Sequence, residues 1–276
     1  MNIAPAEFDY LRRLVRDCSA IEIDADKQYL AELRLSPLLP EHGVASVQEL
    51  LICLRRQAVG TLHRRVVDAM TNNETWFFRD LHPFKALESH IIPEMITRRT
   101  AERQLNVWSA ASSTGQEAYS VAMILRERFT IPQWRYFILG TDISERVLRR
   151  ARAGIYSQQE VNRGLPAPML ARYFHRSGTN WELQSTMRDM VTFRSMNLAG
   201  HWNNIPPIDI LLLRNVLIYF DLPVRKRILS WVRHTLRPEG YMLLGAAETT
   251  LNLDDNFERV QFDSAVCYRL RQSGTV

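Results

Sequence analysis

The chain has 276 residues, enough for one or two domains with a full hydrophobic core. Hydrophobic residues at 46% and charged residues at 24% match a soluble globular protein, and no apolar run approaches the ~20 residues of a membrane-spanning helix. A formal net charge of +5 favours acidic partners without choosing among nucleic acid, anionic lipid and acidic protein. The stretch Met1–Arg13 carries Glu7 and Asp9 and no apolar run, so a secretory signal is not expected. Cys18, Cys53 and Cys267 are far apart and form no C-x-x-C pair, which argues against a disulfide framework and a zinc site. The expectation is buried, reduced thiols, no metal and a cytoplasmic location.

Residues 1–72 read as a small helical domain. Phe8, Leu11, Leu14, Val15 and Cys18 recur at helical spacing. Ser46 and Glu49 form an S-x-x-E capping box ahead of Leu50, Leu51 and Leu54. Thr61 is placed to cap a further helix carrying Leu62, Val66 and Met70. From Leu50 to Val67 the chain holds Arg55, Arg56, Arg64, Arg65 and His63 and no acid. That face either steers an acidic partner or is simply solvated.

Beyond about residue 100 short apolar runs alternate with amphipathic helices. Strands are expected at Leu105–Ala110, Tyr136–Gly140, Ile208–Leu213, Tyr241–Gly245 and Ala265–Leu270. Helices are expected over Gln116–Phe129, from Ser144, and over Pro223–Leu236. This alternation predicts an α/β doubly wound sheet, which binds ligands at the carboxyl ends of its strands. Between Tyr156 and Thr192 the alternation lapses. A helix near Pro168–Phe174 precedes short strands at Glu182–Gln184 and Met190–Phe193, read as an inserted antiparallel subdomain over residues 156–192.

Four segments could carry chemistry. Trp108–Glu117 is a small-residue strand-to-helix turn, suited to close backbone approach to a ligand but a poor match to a dinucleotide fingerprint. Asp142 ends the second strand, where an acid accepts hydrogen bonds from ribose hydroxyls; it is equally suited to cap the helix from Ser144. Glu117 adds an acid suited to an ammonium group. Two carboxylates and no phosphate-binding loop fit S-adenosylmethionine better than a phosphate-bearing nucleotide. Arg214, Asn215, Tyr219, Phe220 and Asp221 follow the strand Ile208–Leu213. A charge such as Arg214 there needs a partner or water, while Phe220 reads as core. Thr71–Asp80 sets polar residues around an aromatic cluster and Arg79, either as a cleft-lining hinge or as a linker whose aromatics staple domains together.

Taken in order, NNETWFFRD (72–80), WSAASSTGQEAYS (108–120), TDIS (141–144), ARAGIY (151–156), Asn197-Leu198 and RNVLIYFD (214–221) resemble the chemotaxis receptor methyltransferases, the CheR family, over nearly the whole chain. Gln116 and Ala118 stand where many members have Glu and Pro. The resemblance implies an N-terminal all-α receptor-docking domain over 1–72. It also implies a Rossmann-like class I S-adenosylmethionine methyltransferase domain over 73–276, with a small antiparallel β-subdomain inserted. It implies cofactor contacts at Asn73, Thr75, Arg79, Glu117, Asp142, Asn197, Leu198, Arg214 and Asn215, with Arg79 and Tyr219 at the methyl transfer. The implied reaction is methylation of glutamate side chains on the cytoplasmic domains of chemoreceptors, leaving S-adenosylhomocysteine. Arg55, Arg56, Arg64 and Arg65 would dock the receptor. A monomer without nucleic-acid or membrane-inserted partners is expected. Some family members grip a peptide tethered to the receptor C-terminus through a longer, glycine-containing loop of the β-subdomain. The compact Ser177–Asn180 stretch predicts independence from such a peptide.

Two rivals remain at this level. Base-directed methyltransferases often carry (D/N/S)-P-P-(Y/F) at the central strand end; here Pro206-Pro207 lies between Ile205 and Ile208, before that strand. The other rival is a receptor-binding or cofactor-sensing module without catalysis.

Overall fold

A computed structural model of the protein describes residues 3–271. Contacts divide it into two units. One runs through Asn72 and also takes in Tyr219–Val224; the other comprises Asn73–Ile218 and the chain from Arg225.

The first unit holds helices α1 (Pro5–Ser19), α2 (Gln28–Leu35), α3 (Leu39–His42), α4 (Val47–Arg55) and α5 (Thr61–Met70). Phe8, Leu11, Leu14 and Val15 of α1 are buried with Leu50, Leu51 and Leu54 of α4 and Val66 and Met70 of α5, so the helical periodicity marks a true core. Cys18 and Cys53 are only partly buried, unlike the expected buried thiols, whereas Cys267 is fully buried and its thiol is pushed up to about 12 by burial. Ser46 Oγ accepts from Glu49 N–H at 3.2 Å, but the Glu49 carboxylate reaches Ala45 N–H at 2.8 Å rather than the cap residue itself. Thr61 is not the cap of α5. Gly60 occupies that position and its N–H donates to His63 Nδ1 at 3.2 Å. His63 Nε2 lies 3.2 Å from the Leu54 carbonyl. The buried ring therefore joins α4 to α5 and is no part of an exposed basic face. Tyr219–Val224, which the sequence assigns to the second domain, contacts this unit: Glu22 N–H donates to the Tyr219 carbonyl at 2.9 Å and Ile21 bridges to Phe220.

The second unit begins with α6 (His82–Ala86) and α7 (Ile92–Arg98), joined through a π-helical turn at Leu87–Ile91. Pro93 lacks an N–H and cannot complete regular α-bonding there, which the wider turn accommodates. Then follow β1 (Gln104–Ala110), α8 (Gln116–Arg128), β2 (Arg135–Asp142) and α9 (Glu145–Ala153). The insertion contains β3 (Ile155–Tyr156), α10 (Gln158–Asn162), α11 (Ala167–Tyr173), β4 (Phe174–Ser177), β5 (Asn180–Leu183) and α12 (Ser185–Arg188). The chain returns through β6 (Val191–Ser195), β7 (Ile208–Leu213), α13 (Leu222–Thr235), β8 (Leu236–Leu244), β9 (Phe257–Phe262) and β10 (Ala265–Leu270).

Among the described residues the strands form one seven-stranded sheet, ordered β6-β2-β1-β7-β8-β10-β9, and one three-stranded sheet, ordered β3-β5-β4. Strands β6, β2, β1, β7 and β8 pair in parallel, and β10 is antiparallel to both neighbours. This is a doubly wound α/β sheet whose order reverses at β1, beside β7. The Met190–Phe193 run, read as part of the inserted subdomain, instead forms the parallel edge strand β6, with Val191 opposite Ile138. Its short length and lack of a preceding long helix hid this. The subdomain's three strands pair β3 with β5 and β4 with β5, both antiparallel. The edge strand β9 was not foreseen, because Glu258, Arg259 and Gln261 interrupt its apolar residues.

At the amino ends of the strands, buried Asp209 accepts from Arg99 Nε at 2.6 Å and from Asn106 N–H at 2.8 Å. The insertion is anchored to α8 by Glu127, which accepts from the Tyr173 hydroxyl and Arg172 Nη1, each at 2.6 Å. These partners, Tyr173 first, hold the Glu127 carboxyl below its ordinary 4.5, and Tyr173 is pushed up to about 12 by burial and by that carboxylate. A carboxylate with a depressed folded pKa stabilises the native state above its unfolded value, and that contribution is lost as pH falls through the folded value. Glu127→Gln should therefore be less stable than wild type at neutral pH, with the gap closing as pH falls below 4.5. Chemical denaturation across that range checks it; a constant gap would mean the pair contributes no pH-dependent stability.

Candidate active site

The turn after β1 faces the end of β2 because the two strands run in register, Ala110 opposite Thr141. Trp108 Nε1 donates to Thr141 Oγ1 at 2.9 Å and Ser112 N–H to the Thr141 carbonyl at 2.8 Å, closing the turn onto β2. Asp142 is buried. Its Oδ2 accepts from Ser113 N–H and its Oδ1 from Ser144 N–H, both at 2.9 Å. Ser144, not Asp142, caps α9 by accepting from Val147 N–H at 3.2 Å. Asp142 thus fixes the turn after β1 against the start of α9. Ser113 Oγ donates to the Asn73 carbonyl at 2.7 Å, which brings the NNETWFFRD segment to the same turn. Gln116 is buried and accepts from Thr114 Oγ1 at 2.8 Å, so the departure at this position serves the turn internally.

Glu117, Arg214 and Asp80 form one charge group, in which Glu117 and Arg214 are buried and the Asp80 side chain is 39% exposed. Arg214 Nη1 donates to Glu117 Oε2 at 2.9 Å, and Nη2 to Asp80 Oδ2 and to the Arg79 carbonyl, both at 2.8 Å. The Arg214 side chain is only 1% exposed, and Ser109 Oγ donates to the other Glu117 oxygen at 2.8 Å. The sequence suggested Glu117 as partner for a ligand ammonium; here it first neutralises Arg214. Two carboxylates face one guanidinium, so the group carries a net negative charge that a cationic ligand would balance. Arg79 stacks on Trp76, 4.3 Å from the ring centroid, and donates one Nη1 bond to the Glu74 carbonyl at 3.0 Å. Its buried Nε has no hydrogen-bond partner among the described residues, so donors remain for a carboxylate. Phe77 and Phe78 are both buried in the core of the second unit, Phe77 edge-on to Tyr156 at 5.1 Å and to Phe174 at 5.8 Å. Gly164 is required beside them, since a Cβ at that position would lie 2.0 Å from the Phe77 carbonyl oxygen.

Asn197 Oδ1 accepts from Ala199 N–H at 2.9 Å, and Leu198 is buried, its carbonyl accepting from Trp202 Nε1 at 3.0 Å. Trp202 packs edge-on against Trp108 at 4.8 Å, which ties this loop to β1. Asn215 follows β7 with φ +58. Tyr219 groups with the first unit, where its hydroxyl accepts from Asn72 Nδ2 at 2.6 Å. Thr75 is half-buried.

Glu248 was missed. It lies three residues beyond Gly245, just past β8, and its Oε1 accepts from Val216 and Leu217 N–H at 2.8 and 2.7 Å. Its Oε2 accepts from Asn215 and Gly245 N–H, both at 2.7 Å. Successive N–H groups after β7 form an anion-binding nest, and the chain fills it with its own carboxylate. Gly245 permits the approach: a Cβ there would fall 2.6 Å from Asn215 Nδ2 and 2.7 Å from Glu248 Oε2. Only a lone acid following a buried strand signals this in the sequence.

A reversing parallel sheet with an acid ending its second strand and a net-negative group at the ends of β1 and β7 fits a nucleoside ligand bearing a cation. The comparisons agree. Residues 73–266 match the family described as "CheR methyltransferase, SAM binding domain", and residues 6–71 match "CheR methyltransferase, all-alpha domain". The chain is 38% identical to chemotaxis protein methyltransferase 1 of Pseudomonas aeruginosa, covering 98% of this chain and 100% of that one. It is 37% identical to chemotaxis protein methyltransferase 1 of Vibrio cholerae (98% and 99% covered) and 30% identical to the chemotaxis protein methyltransferase of Escherichia coli (93% and 89% covered). The chain belongs to the CheR methyltransferase family and is an S-adenosylmethionine-dependent methyltransferase.

Glu248→Gln would set an amide NH2 against backbone N–H groups, and Gly245→Ala would press on Asn215 without changing charge. Leaving such buried donors unsatisfied costs about 1–3 kcal/mol. Both variants should therefore bind S-adenosylhomocysteine roughly tenfold or more weakly by calorimetry, as should Asp142→Ala, which removes the acid ending β2. Wild-type affinity in folded Glu248→Gln protein would make the nest irrelevant to the cofactor.

Proposed function

We propose that the chain transfers the S-adenosylmethionine methyl group to glutamate side-chain carboxylates on the cytoplasmic domains of chemoreceptors, forming methyl esters in chemotactic adaptation. It acts as a cytoplasmic monomer. The observation that best supports a carboxylate acceptor is Arg79, whose stacked guanidinium keeps a buried donor without a partner. The names of the relatives, chemotaxis protein methyltransferases, support the receptor as the acceptor protein. No helix among the described residues is long and apolar enough to cross a membrane, and none of their His, Cys, Asp and Glu groups is arranged to hold a metal.

In this reading Asp142 holds the ribose, and Asn73, Thr75, Asn197, Leu198 and Asn215 complete the cofactor site. The Glu117–Arg214–Asp80 group balances the cofactor's positive charge. The bound cofactor supplies an electrophilic sulfonium methyl. A glutamate carboxylate has a pKa of about 4.3 and is ionised near neutrality, so the chain needs no general base. Its residues act by orientation and by excluding water. Arg79 aligns the acceptor or the cofactor carboxylate. The Tyr219 hydroxyl, which accepts from Asn72, keeps its proton to donate near the reacting methyl.

The basic helices need revision as a docking surface. Arg55 pairs with Glu7 at 3.4 Å, and Arg65 pairs with Glu41. Arg56 and Arg64 are exposed, and Arg64 reaches only the Thr61 hydroxyl at 3.3 Å. Among the described residues neither has a carboxylate partner, so these two are the better candidates for steering an acidic receptor surface.

The decisive experiment is transfer of labelled methyl to receptor cytoplasmic domains, where binding without transfer would favour the non-catalytic reading. Arg79→Ala and Tyr219→Phe should lower turnover with little change in melting temperature. Charge reversal at Arg56 and Arg64 should raise the receptor KM, most at low salt, and leave cofactor affinity unchanged. A salt-independent, unaltered KM would assign those arginines to a solvated face.

The subdomain reading is independence from a C-terminal receptor peptide. The β4–β5 hairpin supports it: Ser177 pairs with Asn180, so the loop is only Gly178 and Thr179, with Gly178 at φ +61. Calorimetry with the C-terminal pentapeptide of a tether-bearing receptor should give no heat beyond dilution while S-adenosylhomocysteine still binds. Micromolar binding would make the exposed β4 edge a strand-addition site.

A further inference from the structure

A cavity of 370 Å³ adjoins Arg214 and Gly245 on the β8–β10 side of the sheet, where the ends of β7 and β8 meet the start of β10. Its volume is at the small end for ligand sites and suits a side chain better than a whole cofactor. Its charges can be taken one by one. Asp80 is bound to Arg214 at 2.8 Å, and Arg214 is bound in turn to Glu117 at 2.9 Å. Glu248 is saturated by four N–H groups, the longest of those contacts being the 2.8 Å bond from Val216. Both acids in the lining, Asp80 and Glu248, are therefore already engaged within the protein, Asp80 by Arg214 and Glu248 by backbone N–H groups.

What is left over is donors. Arg259, opposite Tyr268 in the antiparallel β9–β10 register, lines the cavity and is exposed. Its guanidinium has no carboxylate or hydrogen-bond partner among the described residues, in a chain where most neighbouring cations have one. The His82 ring and the Ser264 hydroxyl are likewise exposed in the lining without side-chain partners, and the buried Tyr268 hydroxyl makes only a long 3.4 Å contact with Thr249 Oγ1. An unpaired guanidinium and hydroxyls around a cavity whose two acids are already hydrogen-bonded within the protein offer donors to a carboxylate, and a planar fork is the donor best matched to that group.

We propose that this cavity recognises an acidic side chain of the acceptor protein flanking the glutamate to be methylated, with Arg259 as its specificity-determining cation. The proposal rests on the reading of a receptor carboxylate as acceptor. It gives the enzyme a second contact beside the reacting group, one that selects acidic sequence context and leaves the cofactor untouched.

The test is steady-state methyl transfer to a receptor cytoplasmic domain by the full-length enzyme. Arg259→Ala should raise the receptor KM roughly tenfold, the loss expected for one charge-assisted contact, and Arg259→Glu should raise it further. Arg259→Lys should recover part of the loss. S-adenosylhomocysteine affinity and melting temperature should match wild type in all three. Replacing the acidic residues next to the acceptor glutamate by Gln should raise the wild-type KM and abolish the difference between wild type and Arg259→Ala. Wild-type KM in Arg259→Ala and Arg259→Glu overturns the proposal alone. A wild-type enzyme that transfers nothing to receptor carboxylates overturns the acceptor reading and this proposal with it.

Discussion

The second unit is organised around one buried guanidinium. Arg214 ends a strand of five apolar residues and one acid, and its side chain is 1% exposed. A charge in that position costs several kcal/mol unless it is paired and hydrogen-bonded. The pairing recruits two distant parts of the chain. Glu117 comes from the first turn of α8, Asp80 and the Arg79 carbonyl from the segment before α6, and Phe84 lies 5.5 Å from the guanidinium carbon. One residue thereby fixes the turn after β1, the RNVLIYFD strand end and the NNETWFFRD segment relative to one another. With two carboxylates on one cation, the assembly is more than a closed ion pair.

Much of this was legible because the signals were local. Strand β7 and strand β10 fall where the apolar runs end, and the acid of Asp142 ends β2 as the TDIS segment suggested. The partner requirement on Arg214 followed from burial alone; the identity of its partners did not, because they lie 97 and 134 residues away in sequence. Glu248 was invisible for the same reason: its role is to satisfy N–H groups of a loop about thirty residues earlier, and nothing near it in sequence demands an acid. The misplacement of Met190–Phe193 has a different cause. A short apolar run reads identically in an antiparallel insertion and at a parallel edge, and only its register with β2 separates the two.

Charge read along the sequence was equally incomplete. The stretch from Leu50 to Val67 contains no acid, yet Glu7 and Glu41 neutralise two of its four arginines through space, and His63 is buried in the fold. In the second unit the reverse holds. Arg259 sits in a strand beside Glu258, which suggests local neutralisation, but alternation sends the two side chains to opposite faces, and Glu258 pairs with Arg269 instead. An excess cation in the sequence and an excess cation on a surface are different quantities, and only the second can steer a partner.

Backbone strain follows the same map. Phe78, Asp80, Leu81, Ala111, Ser113 and Asn215 all adopt positive φ, half of the twelve non-glycine residues that do so among those described. Each such residue costs on the order of 1–3 kcal/mol unless its surroundings hold it. The holding groups are identifiable. Phe78 N–H donates to Ser120 Oγ at 3.0 Å, Ser113 N–H to Asp142 at 2.9 Å and Asn215 N–H to Glu248 at 2.7 Å. Three strained segments, each clamped by one side-chain acceptor, converge around Arg214 and the ends of β1, β2 and β7. These three left-handed residues are each held by a side-chain acceptor, so the fold trades local stability for fixed backbone around Arg214, and Ser120, Asp142 and Glu248 are what keep those segments from relaxing.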